Sequence, residues 1–340
     1  MGHNNMKKKL LLAALNIAAA AAIGIIVGIY VKYGRNGTSG QDSGETLYGK
    51  IEAIAGQSDA RIGFAAVFHD GSMMVYSNAE AGKDSTAAGT GMPAGAYPML
   101  SVMKFHQALA VCGWLKERGI PLTEKIHVGP EDLEQDTWSP LRDTHPDGGD
   151  FSWKELLEYT LIQSDNNACD ILFARTGGPA YTDSYVRTSG ARGFSIECTE
   201  AMMHENLQDC YRNWSTPESA ALLMDKFYKS RDNDVYSRFI WETMSGCKTG
   251  QDRIPRYISE KAAAVAHKTG TGDMTPDGRI MAINDIGTVV LPGGRHFSMA
   301  VFVNDAGCSA QECAGIIAGI AGAVYDFCAD SDSSGEQRRQ

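Results

Sequence analysis

Three short clusters of hydroxyl, amine and amide side chains could serve one reaction centre: Ser101-Val102-Met103-Lys104, Ser164-Asp165-Asn166 and Lys268-Thr269-Gly270. A serine hydroxyl is a weak nucleophile until a neighbouring base takes its proton. On a helix start, residues three apart share a face, so Lys104 can reach the Ser101 hydroxyl. The helix N-terminus also favours negative charge beside it. About one Ser-x-x-Lys is expected by chance in a chain of this length, so a surface pair is the plain alternative. Ser164 and Asn166, held on a short loop, can relay a proton and bind a substrate amide. The same residue types also favour a simple turn. Lys268 at a strand end attracts an anionic group, which Thr269 can hydrogen-bond. Gly270 and Gly272 let backbone come close to a ligand, although a strand running into a glycine turn looks the same.

Elements must bring these clusters together. Ile62–Phe68 and Met73–Tyr76 flank Asp70-Gly71, a hairpin signal. Residues 101–117 carry helical periodicity with Gly119 as a stop. Ser152 with Glu155 resembles a capping box ahead of Leu156, Leu157 and Leu161, and Pro217 opens a helix over 217–229. Ala263–His267, Ile280–Leu291 and Phe297–Val303 read as strands, and 310–328 as an apolar closing helix. Strands, a helical middle, strands and a helix predict an α+β fold. Its antiparallel sheet is built from both chain ends and flanked by helices, with a mostly helical region over 101–250.

The termini read differently. Leu10–Tyr30 is apolar except for Asn16 and follows Lys7-Lys8-Lys9. A helix of that length crosses the hydrocarbon core, with the lysines cytoplasmic. Residues 1–33 are therefore either a cleaved signal or a retained anchor, and both export the domain. Residues 34–48 read as a flexible linker and 330–340 as a polar tail. The chain of 340 residues carries a net charge of −10; without residues 1–40 it has 26 basic against 41 acidic residues. Such a surface disfavours nucleic acid or an anionic membrane as partner. The eight cysteines fit an oxidising compartment without proving a disulfide. Cys308 and Cys313 have no matching Cys/His pair downstream, so no metal site is expected.

The order Ser-x-x-Lys, Ser-Asp-Asn, Lys-Thr-Gly, each cluster on a suitable element, resembles the penicillin-recognising serine enzymes over roughly residues 50–328. The closer resemblance is to class A serine β-lactamases. Glu200 carries it: in that family a glutamate between the second and third clusters positions the water of deacylation. Thr199-Glu200-Ala201-Met202-Met203-His204, with Asn213-Trp214, resembles a cephalosporinase and extended-spectrum subgroup that has His four residues after the Glu. Glu197 and Glu205 are nearby acids for which no such role is expected.

The resemblance implies a β-lactamase/transpeptidase-like domain over 49–329, its α/β part 49–100 and 251–329, and hydrolysis of β-lactam antibiotics, cephalosporins among them. Ser101 would attack the lactam carbonyl, with Lys104, or Glu200 through a water, as base. Backbone N–H groups of Ser101 and Thr271 would form the oxyanion hole. Ser164 would pass a proton to the leaving nitrogen and Asn166 would hold the side-chain amide. Lys268, Thr269, Gly270 and Arg253 would bind the carboxylate end, and His204 would help place the water. Arg253 in a solvated patch with Arg256 is the bland alternative. The resemblance implies no cofactor and a monomeric, periplasmic or otherwise extracytoplasmic enzyme.

Two departures stand out. In the commoner enzymes an Arg two residues before the Glu pairs with an Asp; here those positions are Cys198 and Asn213, so the loop must be held another way. Leu100 and Gly272 cannot form the disulfide of some carbapenem-hydrolysing relatives. A DD-peptidase, penicillin-binding protein or β-lactam sensor, which acylates without fast release, is the alternative reading, and Glu200 argues against it.

Overall fold

A computed structural model describes residues 46–79 and 90–337. The N-terminal signal or anchor lies outside the described residues. Helix α1 (Leu47–Ala55) is capped by the Thr46 hydroxyl, which accepts from Gly49 N. It therefore begins inside the stretch expected to be linker. Strands β1 (Arg61–Phe68) and β2 (Met73–Ser77) pair antiparallel around the Asp-Gly turn. Asp70 Oδ1 accepts from Ser72 N in that turn, and Gly71 takes φ 84°.

Strand β3 (Tyr97–Pro98) leads to a single 3₁₀ turn, Leu100–Val102, and then to α2 (Met103–Arg118). Ser101 thus sits in a tighter turn than the expected α-helix start, because Leu100 enters it at φ 50°. Gly119, at φ 66°, closes α2 as expected. The middle of the chain adds β4 (Lys125–Val128), α3 (Pro140–Thr144), β5 (Gly149–Ser152) and α4 (Trp153–Ile162). The Ser152–Glu155 capping box is reciprocal at the start of α4. Then follow α5 (Asn166–Thr176), α6 (Gly178–Thr188), β6 (Phe194–Ser195), α7 (Glu200–Glu205), β7 (Trp214–Ser215), α8 (Pro217–Ser230) and α9 (Val235–Ser245).

The chain returns to strands with β8 (Ala264–Thr271), β9 (Ile280–Val290) and β10 (His296–Ala306), and ends in α10 (Ala310–Gln337). The closing helix runs past its expected end, through Gly335, into the stretch expected as a tail. The main sheet has the order β2-β1-β10-β9-β8, every pair antiparallel. Both chain ends do build it.

Alternation along the strands divides two cores. Ile62, Phe64 and Ala66 of β1 pack with Met299, Val301 and Val303 of β10 against α1 and α10. Ala65 and Val67, with Ala300 and Phe302, face the helical region. Helix α10 is apolar enough to cross a membrane, but Ile317, Ile320 and Val324 are fully buried on the sheet. The helical region is organised around α2, whose Phe105, Val111 and Leu115 are also fully buried. Burying each such side chain contributes about 1.5–3 kcal/mol.

Candidate active site

The site lies where the 3₁₀ turn, the α4–α5 connection, α7 and the end of β8 meet. Two backbones approach closely there. A Cβ on Gly270 would stand 2.3 Å from Met99 O, so only glycine lets β8 lie against the turn that carries Ser101. That closeness serves the protein's own backbone, a use the sequence did not point to. Asn284 of β9 donates from Nδ2 to Pro98 O at 2.8 Å, and Met99 N donates to Asn213 O at 2.8 Å. The turn is therefore fastened to the sheet on one side and to the Glu200 segment on the other.

Lys104 is fully buried at the centre. Its Nζ donates to Ser101 Oγ at 3.0 Å, Asn166 Oδ1 at 2.6 Å and the Ser164 carbonyl at 2.7 Å. It also lies 2.9 Å from Glu200 Oε1. Ser101 Oγ in turn donates to Glu200 Oε1 at 3.2 Å. Ser101, Lys104 and Glu200 are thus in mutual contact although 99 residues separate the first from the last. A buried ammonium with carboxylate, carbonyl and amide oxygens around it satisfies its donors without water.

Ser164 sits at φ 59°, unusual for a residue with a Cβ. The bend aims Ser164 Oγ at the third cluster, where Lys268 Nζ donates to it at 2.9 Å. Asp165 belongs to the scaffold instead. Its buried carboxylate caps α5 through Ala168 N and also takes Leu141 N and Ser139 Oγ. Asn166 Nδ2 donates to Thr137 Oγ1 at 2.8 Å, a partner the sequence did not point to.

Lys268 is fully buried. Burial and the nearby Lys104 charge bring its ammonium down to about 7, against the opposing pull of Cys247, Glu200 and Asp285. Thr269 Oγ1 shares a 2.6 Å hydrogen bond with Thr249 Oγ1. Arg253 is buried, not solvated with Arg256. Its guanidinium donates to Gly270 O, Asn284 O and Thr271 Oγ1 at 3.0, 2.8 and 2.7 Å. Beside it a cavity of about 650 Å³ opens, lined in part by Gln251, Arg256, Thr271 and Gln311. Thr271 is exposed at the end of β8.

Glu200 opens the six-residue helix α7, capped by the Thr199 hydroxyl; the segment is not all loop. Two side chains hold it in place of the missing ion pair. Asn213 is fully buried and its Oδ1 accepts from Glu197 N and Cys198 N, while Nδ2 donates to Cys198 O. Asp170 accepts from Glu200 N and Ala201 N, both at 2.8 Å. Burial, then the Glu200 charge, pushes the Asp170 carboxyl up to about 6 despite those two bonds. Asp170 stands one helical turn after Asn166 on α5; that spacing was the only signal of it in the sequence. His204 and Glu200 line a small cavity of about 50 Å³ with Asn166 and Asp170. The His204 ring itself is half exposed, 3.7 Å from Asp136.

All eight cysteines are free thiols. Leu100 and Gly272 are neighbours, as a Cβ on Gly272 would lie 3.5 Å from Leu100 Cγ. The structure thus brings Ser101, Lys104, Ser164, Asn166, Glu200 and Lys268 into one hydrogen-bonded cluster, with Thr269, Gly270, Thr271 and Arg253 along β8 beside it.

Comparison with known proteins agrees with this geometry. Residues 90–328 match the model of the Beta-lactamase enzyme family. A β-lactamase of Bacteroides uniformis is 34% identical over 284 residues, which cover 82% of this chain and 90% of the relative. The extended-spectrum β-lactamase PER-1 of Pseudomonas aeruginosa is 34% identical over 234 residues, 68% of this chain and 75% of its own. A solved class A β-lactamase from Bacteroides cellulosilyticus superposes with a TM-score of 0.74 at 34% identity, covering 82% of this chain and 96% of that one.

Proposed function

We propose a working mechanism from the premise that this chain belongs to the class A serine β-lactamases and hydrolyses β-lactams. The observation that carries it is the contact of Lys104 Nζ with Ser101 Oγ at 3.0 Å and with Glu200 Oε1 at 2.9 Å. Ser101 Oγ attacks the lactam carbonyl while its proton passes to the Lys104–Glu200 pair. The developing oxyanion takes hydrogen bonds from the backbone N–H groups of Ser101 and Thr271. Ser164, bonded to Lys268, hands a proton to the departing nitrogen. Asn166, held by Lys104 and Thr137, receives the substrate's side-chain amide. The carboxylate settles against Lys268, Thr269 and Gly270. Arg253 supports that end by fixing the Thr271 hydroxyl.

Glu200 then takes a proton from the water that cleaves the acyl-enzyme. His204 lines the same small cavity and helps place that water. Cephalosporins are the proposed substrates. The cavity beside Arg253 and Thr271 leaves room for a bulky substituent near the carboxylate, and the name extended-spectrum attaches to PER-1. The apolar run Leu10–Tyr30 after three lysines supports export to the periplasm or another extracytoplasmic space. The membrane would be met only through that run if it is retained, and the enzyme would act as a monomer.

Hydrolysis of a chromogenic cephalosporin by the full chain and by Glu200→Ala tests the mechanism. Fast turnover by the parent is expected. The variant should lose about 10³-fold or more in kcat and accumulate an acyl group on Ser101, visible by intact mass. One stoichiometric burst from both proteins would overturn it in favour of a penicillin-binding protein or sensor.

A further inference from the structure

Behind Lys268 lies a second group of reactive side chains that the hydrolytic mechanism leaves unused. Cys247 follows α9, His267 is the strand neighbour of Lys268, and Asp285 stands on β9. Both Asp285 oxygens lie 3.0 Å from His267 Nδ1. The His267 ring is only 2% exposed, and its other nitrogen, Nε2, makes no hydrogen bond. The Cys247 thiol interacts with this ring, too loosely for a well-formed hydrogen bond. Its sulfur also meets Thr249 Oγ1 at 3.4 Å, and Thr249 Oγ1 meets Thr269 Oγ1 at 2.6 Å. A thiol that interacts with an imidazole oriented by a carboxylate is an activated-thiol arrangement.

Charge supports the geometry. Burial opposes ionisation of the Cys247 thiol, but His267 and Lys268 outweigh it and bring the thiol down to about 7. Burial likewise disfavours a charged His267, yet Asp285 and Cys247 raise the ring to about 10. Buried cysteines elsewhere move the other way: burial pushes Cys210 up to about 12. Cys247 as a residue remains 7% exposed.

We propose that Cys247 is a modification site for small soft electrophiles of the peroxide class, and that its modification disables the pocket for the substrate carboxylate. The thiolate sulfur attacks one oxygen of hydrogen peroxide and the O–O bond breaks. Sulfur is oxidised to a sulfenic acid, and the departing hydroxide takes the proton of His267 Nε2 to leave as water. The added oxygen has to enter the 3.4 Å contact with Thr249, which parts Thr249 from Thr269. The effect on hydrolysis rests on the proposed place of the substrate carboxylate at Thr269; the thiol chemistry does not.

The full chain is treated with hydrogen peroxide in the presence of dimedone, which traps sulfenic acid, and every cysteine peptide is mapped by mass for label or disulfide. Hydrolysis of a chromogenic cephalosporin is followed on the same samples. The expected result is oxidation of Cys247 ahead of the more exposed Cys308, with KM raised about tenfold or more and kcat changed less. Cys247→Ser should hydrolyse like the parent before treatment and keep its KM after it; Cys247→Ala replaces it if the serine variant does not fold. Oxidation of Cys308 with Cys247 untouched overturns the proposal, and so does an equal loss of activity in the Cys247 variant. Label on Cys247 with an unchanged KM upholds the thiol site and counts instead against the carboxylate at Thr269.

Discussion

The two flanks of Ser101 are held by different means. On the Lys268 flank, β8 lies in register with β9 from Ala264↔Val290 to Thr271↔Ile283, and each residue inherits its place from the ladder. On the Glu200 flank no ladder reaches the Glu200 carboxylate. A six-residue helix hangs from two side chains, Asn213 and Asp170, through bonds to four backbone N–H groups. A strand spreads positional error over many bonds, whereas a clamp concentrates it in a few. Damage to the strand flank should therefore injure acylation and folding together. Damage to the clamp should injure deacylation first.

Substitution where the strand flank meets the Ser101 turn gives the largest expected effect. Gly270→Ala sets a Cβ 2.3 Å from Met99 O, and neither backbone can yield without moving Ser101. The expected cost is about 3 kcal/mol of stability with acylation at least about 10³-fold slower, read by denaturant unfolding and pre-steady-state mass spectrometry. A variant with near-parent acylation would show that the two backbones are not locked. On the other flank, Asn213→Ala removes a buried amide that satisfies three backbone groups of Glu197 and Cys198. It should cost about 2 kcal/mol and slow deacylation more than acylation, so that acyl-enzyme builds up. Equal slowing of both steps would erase the contrast between the flanks.

Asp170→Asn gives the smallest effect and sharpens the contrast through pH. The Asp170 carboxyl is raised to about 6 from an ordinary value of 3.8, so the folded protein holds its proton where the unfolded chain has lost it. Its contribution is full below about pH 4 and is lost as pH rises through about 6, on the order of 2 kcal/mol. The parent should lose this increment between pH 4 and 6, and the asparagine variant should not, by urea midpoints at the two pH values. Asparagine keeps one carbonyl oxygen where two carboxylate oxygens accepted, so at pH 7 the α7 start should loosen by about 1 kcal/mol. Parallel pH profiles for parent and variant would remove Asp170 from the clamp's electrostatics.

Much of the molecule was legible from local patterns. The β1–β2 hairpin, the Ser152–Glu155 capping box, the Gly119 stop and the Pro217 helix start are written within a few residues each, and their physics is equally local. Helix propagation was read less well, since α10 continues through the polar residues after Cys328 and Gly335 to Gln337. Motif order was enough to name the three clusters that meet around Lys104 and to set Glu200 apart from the acids beside it. It was also enough to show that an ion pair between positions 198 and 213 could not form. The sequence could not show what replaced it. The Asn213 amide and the Asp170 carboxylate act on backbone groups, and backbone groups carry no letter in a sequence.

The sequence by itself determined the element types, the antiparallel α+β plan and the residues able to do acyl-transfer chemistry, because periodicity, capping and side-chain type are local properties. Tertiary structure alone decided which groups surround them. Gly270 lets β8 lie against Met99, Arg253 is buried rather than solvated, and Asp285 pairs with the His267 ring. Each of these depends on sheet register and on how the helical region seats against it. Contacts between residues tens to hundreds of positions apart are fixed only when the whole core closes, because the burial that stabilises them is a property of all the packed elements together.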